Sequence, residues 1–321
     1  MKAAIYTRHD STNSVQIADV EKPVLKDNEV LIKVRAASVN PFDCHILRHP
    51  FLHRIFNALS KGSTARPGRD VAGEVVAVGQ SVTQFKPGDE VFGSCGGAFA
   101  DYACSSESAL VRKPDNVSFE QAASVTVAGL TALQGLRDKG QIQPGQKVLI
   151  NGAAGGVGTF TVQIAKWFGA EATGVCSTRN LEMVRSIGAD RVIDYTREDF
   201  TQSGQRYDLI FDLVANHPLL ACRRALNSKG IYVAAGVLSI PSIITLLIRS
   251  IAASLLSLFL SQKFVMLTAR VRKDDLAILS ELMNTGKVTP VIDRRYSLSE
   301  VPEAMRYLDE GHARGKVVIG F

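Results

Sequence analysis

The sequence predicts an α/β protein built from two domains, and three observations support that prediction. Residues 1–120 contain short β signals separated by turn residues, residues 125–269 alternate strands with helices, and the chain ends on one more strand. Strands that alternate with helices in this way form a parallel sheet covered by helices. The length of 321 residues also fits two domains.

The N-terminal region is predicted to be a compact and mostly antiparallel β domain. Gly, Pro, Asn and Asp separate its apolar runs, as in Lys86-Pro87-Gly88-Asp89. The runs are short and either apolar or alternating, which is typical of strands: KAAIY, NEVLIKVRAASV, DVAGEVVAVG, DEVFGS and FADYACS.

A helical segment opens the next region, near Ser118. Ser118 is predicted to cap this helix, because Gln121 three residues later completes a capping-box pattern. Strands and helices then alternate, which indicates a doubly wound parallel sheet. The predicted strands are QKVLIN, EATGVCS, RVIDY, YDLIFDLV and IYVAAG, and the predicted helices are VGTFTVQIAKWFG, NLEMVRSIG and LLACRRALNSKG.

The last part of the chain is predicted to return to the first domain. It contains the strand KFVMLTAR, the helix DDLAILSELMNTG, the strand-like VTPVIDRRYSL, the helix VPEAMRYLDEG and the final strand KVVIGF. A strand that ends a chain needs a sheet to join. We therefore expect one domain from residues 1–124 and 270–321, and a second from residues 125–269.

Composition and charge are ordinary for a soluble globular protein. Apolar residues make up 46% and charged residues 21% of the chain, and the net charge is +6. Lys and Arg form no runs, so a nucleic-acid partner is not expected. A modest positive balance equally fits a small anionic ligand, such as a phosphorylated cofactor.

The cysteines and the N-terminus indicate a reducing compartment. The five cysteines are odd in number and form no C-x-x-C pair, which argues against a disulfide framework and a Cys-rich zinc cluster. The N-terminal MKAAIYTRHD lacks the apolar core of a signal peptide. We therefore expect a cytoplasmic protein.

Residues 237–260 form a long apolar stretch, VLSIPSIITLLIRSIAASLLSLFL. Its length approaches that of a membrane span, but Pro241 and Arg249 interrupt it, and an Arg at mid-span is costly in lipid. The stretch fits a buried or dimer-contacting helix pair, or an apolar cover over a lipophilic substrate. Peripheral membrane contact is a further alternative. The apolar and basic residues 51–56 fit the same substrate approach, or packed core or dimer surface.

A glycine-rich loop is the strongest single motif. Residues 151–158 read NGAAGGVG, follow an apolar strand and open a helix, which is the context of a dinucleotide-binding loop. Ala153 takes the place of the first Gly of the G-x-G-x-x-G pattern. Gly155 would allow the backbone to approach a pyrophosphate, and Gly158 would allow close helix packing. A tight turn without ligand is the alternative.

The end of the next strand indicates which dinucleotide binds. A site for NAD usually carries Asp or Glu there, to bind the ribose 2′-hydroxyl. Residues 175–180 read VCSTRN and contain no acid. Arg179 could pair with a 2′-phosphate and Ser177 could donate to it, a contact worth about 1.5–3 kcal/mol. NADPH is therefore expected rather than NADH, unless Arg179 only caps a solvated loop.

Several motifs resemble those of one known family. RPGRDVAGEVVAVG, FKPGDEVFG and GAFADYA resemble the GroES-like domain of the medium-chain dehydrogenases/reductases, and AAGGVG resembles their nucleotide-binding domain. ASVNPFD, GLTALQGL, NGAAGGVGTFTVQIAK and GHARGKVVI resemble the zinc-free quinone oxidoreductase branch of that family. The resemblance covers essentially the whole chain. It implies a GroES-like β-rich catalytic domain, a Rossmann domain with a doubly wound parallel sheet, and a homodimer.

The zinc ligands of related dehydrogenases are replaced here. The zinc-dependent members carry a catalytic Cys and a Gly-His-Glu motif, where this chain has Asn40 and Gly68-Arg69-Asp70. A guanidinium offers no lone pair to Zn²⁺, so no metal is expected. Quinones and enones spread the incoming charge over a conjugated system and can accept hydride without a metal. Hydride transfer from NADPH to such a lipophilic acceptor is the expected reaction.

The resemblance also assigns roles to individual residues. It places Asn40 beside the nicotinamide and Thr131 at a cofactor-facing helix start. The other cofactor-binding residues are Ala154, Gly155, Gly156 and Val157 at the pyrophosphate, Ser177, Arg179 and Tyr195 around the 2′-phosphate, Gly236 at the nicotinamide, and Lys316 near the pyrophosphate. Simpler roles are open for three of these residues. Asn40 could fix a turn, Tyr195 could pack in a strand, and Lys316 could be solvated.

The proton donor is the least defined part of the predicted site. Several quinone-reducing relatives have a Tyr two residues after the Asp of the NP-x-D segment, where this chain has His45. A histidine titrates near neutrality and could deliver a proton. A metal site formed by His45, His49 and His53 is conceivable, but lone histidines on a loop are more often simply solvated.

Two alternative functions stay open at this stage. A metal-free enoyl or alkenal reductase would use the same hydride donor. The residues that line the substrate pocket vary from loop to loop, so the sequence does not separate this enzyme from a quinone reductase. A non-catalytic, membrane-associated NADPH-binding scaffold would also keep the glycine loop.

Overall fold

The computed structural model describes most of the chain, in two compact units. The described residues are 1–9, 12–48, 66–235 and 261–321, with only the backbone given for 8, 9, 12, 13 and 45–48. The first unit comprises Met1–Val127 and Val271–Phe321, and the second comprises Ala128–Arg270.

The N-terminal part is rich in strands, as predicted. Its strands are β1 (Lys2–His9), β2 (Thr12–Asp19), β3 (Glu29–Val39), β4 (Asp70–Val78), β5 (Glu90–Ser94), β6 (Tyr102–Ser106) and β7 (Leu110–Arg112). Its helices are α1 (Pro41–Arg48), α2 (Phe119–Ala123) and α3 (Thr126–Gln134). The capping box predicted at Ser118 is confirmed, because its side chain accepts from Gln121 N and its backbone N donates to Gln121 Oε1.

Two elements of this part were not predicted. Strand β2 has only two well-spaced apolar residues, Val15 and Ile17, and pairs with β1 in an antiparallel hairpin. Helix α1 begins directly after Asn40 with Pro41, whose fixed φ suits the first helical position. His45 therefore lies in a helix, and the expectation of a loop there was wrong.

The middle and the end of the chain alternate strands with helices. The middle contains β8 (Lys147–Asn151), α4 (Gly156–Trp167), β9 (Glu171–Cys176), α5 (Leu181–Ser186), β10 (Arg191–Asp194), β11 (Tyr207–Asp212), α6 (Leu219–Arg224), β12 (Leu226–Ala234) and β13 (Lys263–Met266). The end contains α7 (Lys273–Asn284), β14 (Ile292–Ser297), α8 (Val301–Asp309) and β15 (Lys316–Gly320).

A seven-stranded sheet organises the first unit. Its order is β14-β15-β3-β4-β5-β7, and β6 also pairs with β3. Strand β15 runs antiparallel to β3, with Val317 opposite Val39, so the predicted return of the C-terminal strand to the first domain is confirmed. Strand β3 runs antiparallel to β4, with Ser38 opposite Asp70. These registers bring Lys316, at the start of β15, to the strand ends that carry Ser38 and Asp70.

The second unit contains a parallel sheet with the order β10-β9-β8-β11-β12-β13. Every pair in it is parallel, so the predicted doubly wound sheet is confirmed. The chain moves outward from β8 to β9 and β10, then crosses to β11 on the other side. In such sheets ligands bind outside the carboxyl ends of the strands, where the strand order reverses. Here that position lies at the ends of β8, β9 and β11.

Some predicted features fall outside the described residues. These are Gly236, the apolar residues 237–260, residues 51–56, and His49 and His53. Within the described ranges, none of the helices has the length and hydropathy needed to cross a bilayer.

Candidate functional site

The glycine loop joins β8 to α4 at the carboxyl edge of the parallel sheet. The backbone N–H groups of Gly152 and Ala153 donate to the carbonyl oxygen of Val175, at 3.2 and 3.0 Å, which ties the loop to the end of β9. Helix α4 begins at Gly156 without a side-chain cap on its first N–H groups. Unpaired N–H groups at a helix N-terminus are favourable partners for phosphate. The predicted strand–loop–helix context is confirmed.

Two glycines of this loop are needed for different reasons. A Cβ on Gly158 would overlap the carbonyl oxygen of Gly152 and lie 2.8 Å from Ala153 Cα, so the close approach of helix and loop requires glycine. A Cβ on Gly155 would meet nothing nearer than Gly152 O at 3.5 Å. The packing of the protein therefore accepts alanine at position 155. The glycine at position 155 leaves room for a ligand group to approach the backbone of the loop. The loop therefore fits a pyrophosphate.

The ends of β9 and β10 form a polar surface next to the loop. Ser177 follows β9 and is half-buried, while Arg179 is exposed. Tyr195 follows β10, and its backbone N donates to Cys176 O at 3.1 Å. The Tyr195 residue is 60% exposed, which excludes the simpler role of strand packing. The structure thus brings Ser177, Arg179 and Tyr195 to neighbouring strand ends.

A carboxylate that the sequence analysis missed also lies at this surface. Asp194 ends β10, pairs with Cys176 across the sheet, and accepts a hydrogen bond of 2.6 Å from the Thr178 hydroxyl. Its other oxygen accepts from the backbone N and the hydroxyl of Thr196, at 3.0 and 2.8 Å. The hydrogen bond from Thr178 is the main cause that holds the Asp194 pKa below its usual range. An acid is therefore present, but on the neighbouring strand, and both of its oxygens already accept hydrogen bonds from the protein.

A second aspartate anchors the point where the strand order reverses. Asp212 ends β11 and is fully buried. Its carboxylate accepts from Asn151 Nδ2 at 2.9 Å, from Tyr232 OH at 2.6 Å, and from the backbone N–H groups of Val214 and Ala215. All these donors belong to the protein. Asp212 therefore fixes the backbone that follows β11, and its oxygens are occupied by donors of the protein.

In the first unit, Asn40 and Lys316 meet in a buried polar cluster around Asp70. Lys316 Nζ donates to Asn40 Oδ1 at 2.8 Å and lies 3.3 Å from Asp70 Oδ2. Asn40 Nδ2 and Ser38 Oγ donate to the same oxygen, at 2.9 and 2.7 Å. Backbone N of Val127 donates to Asp70 Oδ1 at 3.0 Å. Asn40 and Lys316 are each 3% exposed, and Asp70 is fully buried.

This cluster changes the expected roles of its members. Lys316 is not a solvated strand residue, because its ammonium group is buried in an ion pair. Asn40 does more than fix a turn, because both atoms of its amide bind charged groups on other strands. Asp70 was considered only as a replacement for a metal-binding Glu, yet it is the acceptor that holds the other residues together.

Asp43, on α1, connects this cluster to its surroundings. Its carboxylate accepts from Asn40 N at 2.9 Å and from Gly68 N at 3.0 Å. Tyr6 OH donates to the backbone oxygen of Asp43 at 3.0 Å. Burial raises the pKa of Asp43 to about 6, and burial also raises the pKa of Tyr6. The side chain thus links the start of α1 to the segment that leads into Asp70.

The remaining predicted residues have mixed outcomes. Thr131 lies in the second turn of α3, which begins at Thr126, so the expectation that it starts a helix was wrong. Ala154 is buried in the loop, while Gly156 and Val157 open α4 and are half-buried. The backbone of His45 lies in α1, but its side chain is outside the described residues.

The described residues include no group of three or more His, Cys, Asp and Glu placed to hold a metal ion. All five cysteines lie in the described ranges, and no disulfide joins them.

Two family models match the chain. The model of the alcohol dehydrogenase GroES-like domain covers residues 26–115, and that of the zinc-binding dehydrogenases covers residues 187–319. The second description belongs to the family, whereas this chain has an amide and a guanidinium at the two ligand positions discussed above.

Similar proteins span nearly the whole chain. A chloroplast envelope quinone oxidoreductase homolog from Arabidopsis thaliana is 35% identical over 319 residues, which cover 94% of this chain and 92% of the relative. A chloroplastic NADPH-dependent alkenal/one oxidoreductase from the same plant is 33% identical, with 99% and 79% covered. The solved quinone oxidoreductase from Coxiella burnetii superposes with a TM-score of 0.86 at 30% identity, over 100% of both chains. Because both plant relatives are chloroplast proteins, the cytoplasmic location stays a prediction.

Alanine at the two loop glycines should separate packing from ligand approach. Gly158→Ala forces a Cβ into the loop backbone and should lower the free energy of unfolding by about 1–3 kcal/mol. Gly155→Ala should leave unfolding unchanged within about 0.5 kcal/mol and weaken binding of a dinucleotide. Urea denaturation and calorimetric titration measure the two effects. Equal stability of the two variants would contradict this assignment.

Removing the buried ammonium group should destabilise the first unit strongly. Lys316→Met leaves Asp70 buried without its cation, which should cost about 3–5 kcal/mol. Adding Asp70→Asn to this variant should restore part of the loss, since no net charge is then buried. Lys26→Met, which removes the exposed pair with Glu29, is the control and should cost less than about 1 kcal/mol. The cluster has no such role if denaturation gives similar losses for both lysines.

Proposed function

The chain belongs to the quinone oxidoreductase branch of the medium-chain dehydrogenases/reductases, and we propose that this oxidoreductase transfers hydride from NADPH to a quinone or another conjugated carbonyl compound without a metal ion. One observation carries the choice of cofactor. At the carboxyl edge of the parallel sheet, a glycine loop with room at Gly155 lies beside a strand end that offers Ser177 and Arg179 and whose nearby acid is internally bound.

The cofactor would be held by residues of the second unit in three groups. Ala154, Gly155, Gly156 and Val157 would bind the pyrophosphate through backbone N–H groups at the start of α4, where the helix dipole favours negative charge. Ser177, Arg179 and Tyr195 would surround the 2′-phosphate. Thr131 and Gly236 would line the nicotinamide side. The bound cofactor supplies the hydride.

The choice of acceptor follows from the chemistry of the missing ligands. Neither the Asn40 amide nor the Arg69 guanidinium would serve as a zinc ligand, so zinc would not be held at these two positions to polarise an isolated carbonyl. A conjugated acceptor needs none, because the negative charge spreads over its π system. The names of the two plant relatives include a quinone oxidoreductase and an alkenal/one oxidoreductase, and both acceptor classes are kept in the proposal.

The first unit would contribute Asn40, which the buried cluster around Asp70 holds in place. Asn40 cannot act as an acid, since an amide does not titrate and its Oδ1 and Nδ2 are occupied by Lys316 and Asp70. Its proposed role is therefore that of a fixed polar group beside the nicotinamide. Lys316 fixes the orientation of the Asn40 amide. Proton delivery is assigned to His45 or to water. The homodimer and the peripheral membrane contact stay predictions.

An acceptor panel tests the proposed reaction. The purified protein should oxidise NADPH with quinones and α,β-unsaturated ketones, and much more slowly with saturated ketones, because only conjugated acceptors stabilise the charge. Loss of the near-ultraviolet absorbance of NADPH measures the rate, with a zinc chelator as control. Tight NADPH binding without acceptor-dependent oxidation would instead support a non-catalytic scaffold, and dependence on stoichiometric zinc would refute the metal-free reaction.

An arginine variant tests the choice of cofactor. Arg179→Ala should raise the KM for NADPH by roughly tenfold to a hundredfold, the equivalent of one charge-assisted contact. The KM for NADH should not change, because that cofactor lacks the phosphate. Arg185→Ala, an exposed arginine of the following helix, is the matched control. If Arg179→Ala raised both KM values equally, the arginine would not be bound to the 2′-phosphate.

A further inference from the structure

Two hydroxyl groups follow β9, and their hydrogen bonds give them opposite capacities toward a ligand. Ser177 and Thr178 are adjacent and lie beside the glycine loop. A hydroxyl has a single hydrogen to donate. Which of the two can donate to a phosphate therefore depends on where each hydrogen is already used.

The hydrogen of Thr178 is used within the protein. Its Oγ1 lies 2.6 Å from Asp194 Oδ2, and an ionised carboxylate can only accept. Asp194 is held ionised, since Thr178 and Thr196 lower its pKa. Thr178 thus has no hydrogen left for a phosphate.

The hydrogen of Ser177 is left available by its neighbour Asn180. The Nδ2 group of Asn180 lies 3.1 Å from Ser177 Oγ, and an amide nitrogen can only donate. Ser177 is therefore the acceptor in this bond. In the described part of the chain, its hydroxyl makes no hydrogen bond as a donor.

Asn180 is held in place by burial and by its backbone. The residue is 6% exposed, and its N–H donates to Ser177 O at 2.9 Å. Its Oδ1 is buried and finds no hydrogen-bond partner within the described residues. An unpaired buried acceptor lowers stability, so its presence in a folded protein requires an explanation. Within the described residues, the bond from Nδ2 to Ser177 is the hydrogen bond that the Asn180 side chain makes.

We propose that Asn180 is a positioning residue that makes the Ser177 hydroxyl a hydrogen-bond donor to the 2′-phosphate and so contributes to selection of NADPH over NADH. This inference rests on the proposed function, which places NADPH at this edge. Ser177 and Arg179 then donate to the phosphate, while Thr178 donates to Asp194.

Calorimetric titration of the full chain with NADPH and with NADH tests this arrangement. Asn180→Ala should weaken NADPH binding by roughly threefold to tenfold, the equivalent of one hydrogen bond, and leave NADH binding unchanged. Ser177→Ala should give a similar loss. If Asn180 acts through Ser177, then adding Asn180→Ala to Ser177→Ala should cause no further change.

An isosteric variant keeps the test independent of folding. Asn180→Asp preserves the shape of the side chain but can only accept, so it takes the Ser177 hydrogen and adds a negative charge. Its loss of NADPH affinity should exceed that of Asn180→Ala. Asn227→Ala is the matched control, because this amide binds Asp208 near the amino ends of β11 and β12 and should not affect either cofactor.

Each contrary outcome has a distinct meaning. If the wild-type protein binds both cofactors equally, the proposed cofactor is wrong. If the wild type prefers NADPH and both Asn180 variants keep the full preference, the role of Asn180 is wrong. The same conclusion follows if the effect of Asn180→Ala is equal for both cofactors, or persists undiminished in the Ser177→Ala background.

Discussion

At the carboxyl edge of the parallel sheet, the proposed nucleotide site depends on one constraint. The protein's own hydrogen-bond donors must occupy the carboxylates that lie there. Asp194 and Asp212 end β10 and β11 of the parallel sheet, at the carboxyl edge where a ligand with phosphate groups would lie. Left exposed, their charges would oppose such a ligand. Threonine hydroxyls bind Asp194, and an amide, a phenol and two backbone N–H groups bind Asp212. The carboxyl edge of the parallel sheet therefore contains two carboxylates, but the groups that it offers to a ligand are hydrogen-bond donors.

The first unit follows the same principle with a buried charge pair. Asp70, at the start of β4, combines Lys316 of β15 with Ser38 and Asn40 at the end of β3 in one buried cluster. A buried pair of this kind contributes little net stability, because desolvation offsets attraction, but loss of one partner is costly. The buried pair instead specifies one arrangement of the strand ends. This arrangement keeps the Asn40 amide in a single orientation.

Local patterns predicted most of the fold, whereas contacts between strands decided what the site contains. The alternation of strands and helices and the loop at Gly155 follow from short-range periodicity and turn chemistry. Asp194 was missed because it becomes a neighbour of Thr178 only through the pairing of β10 with β9, sixteen residues further along the chain. The role of Asp70 as the acceptor of a buried cluster was missed for the same reason, since its partner Lys316 lies at the other end of the chain.

The ionisation of the bound 2′-phosphate tests the central claim most directly. A pH titration of its phosphorus NMR signal compares the phosphate pKa in free NADPH and in the complex. Because Ser177 and Arg179 offer donors and the nearby carboxylates are already bound, the account predicts a lower phosphate pKa in the complex. A bound phosphate with an unchanged or raised pKa would mean that the edge does not stabilise the doubly charged form, and would contradict the account.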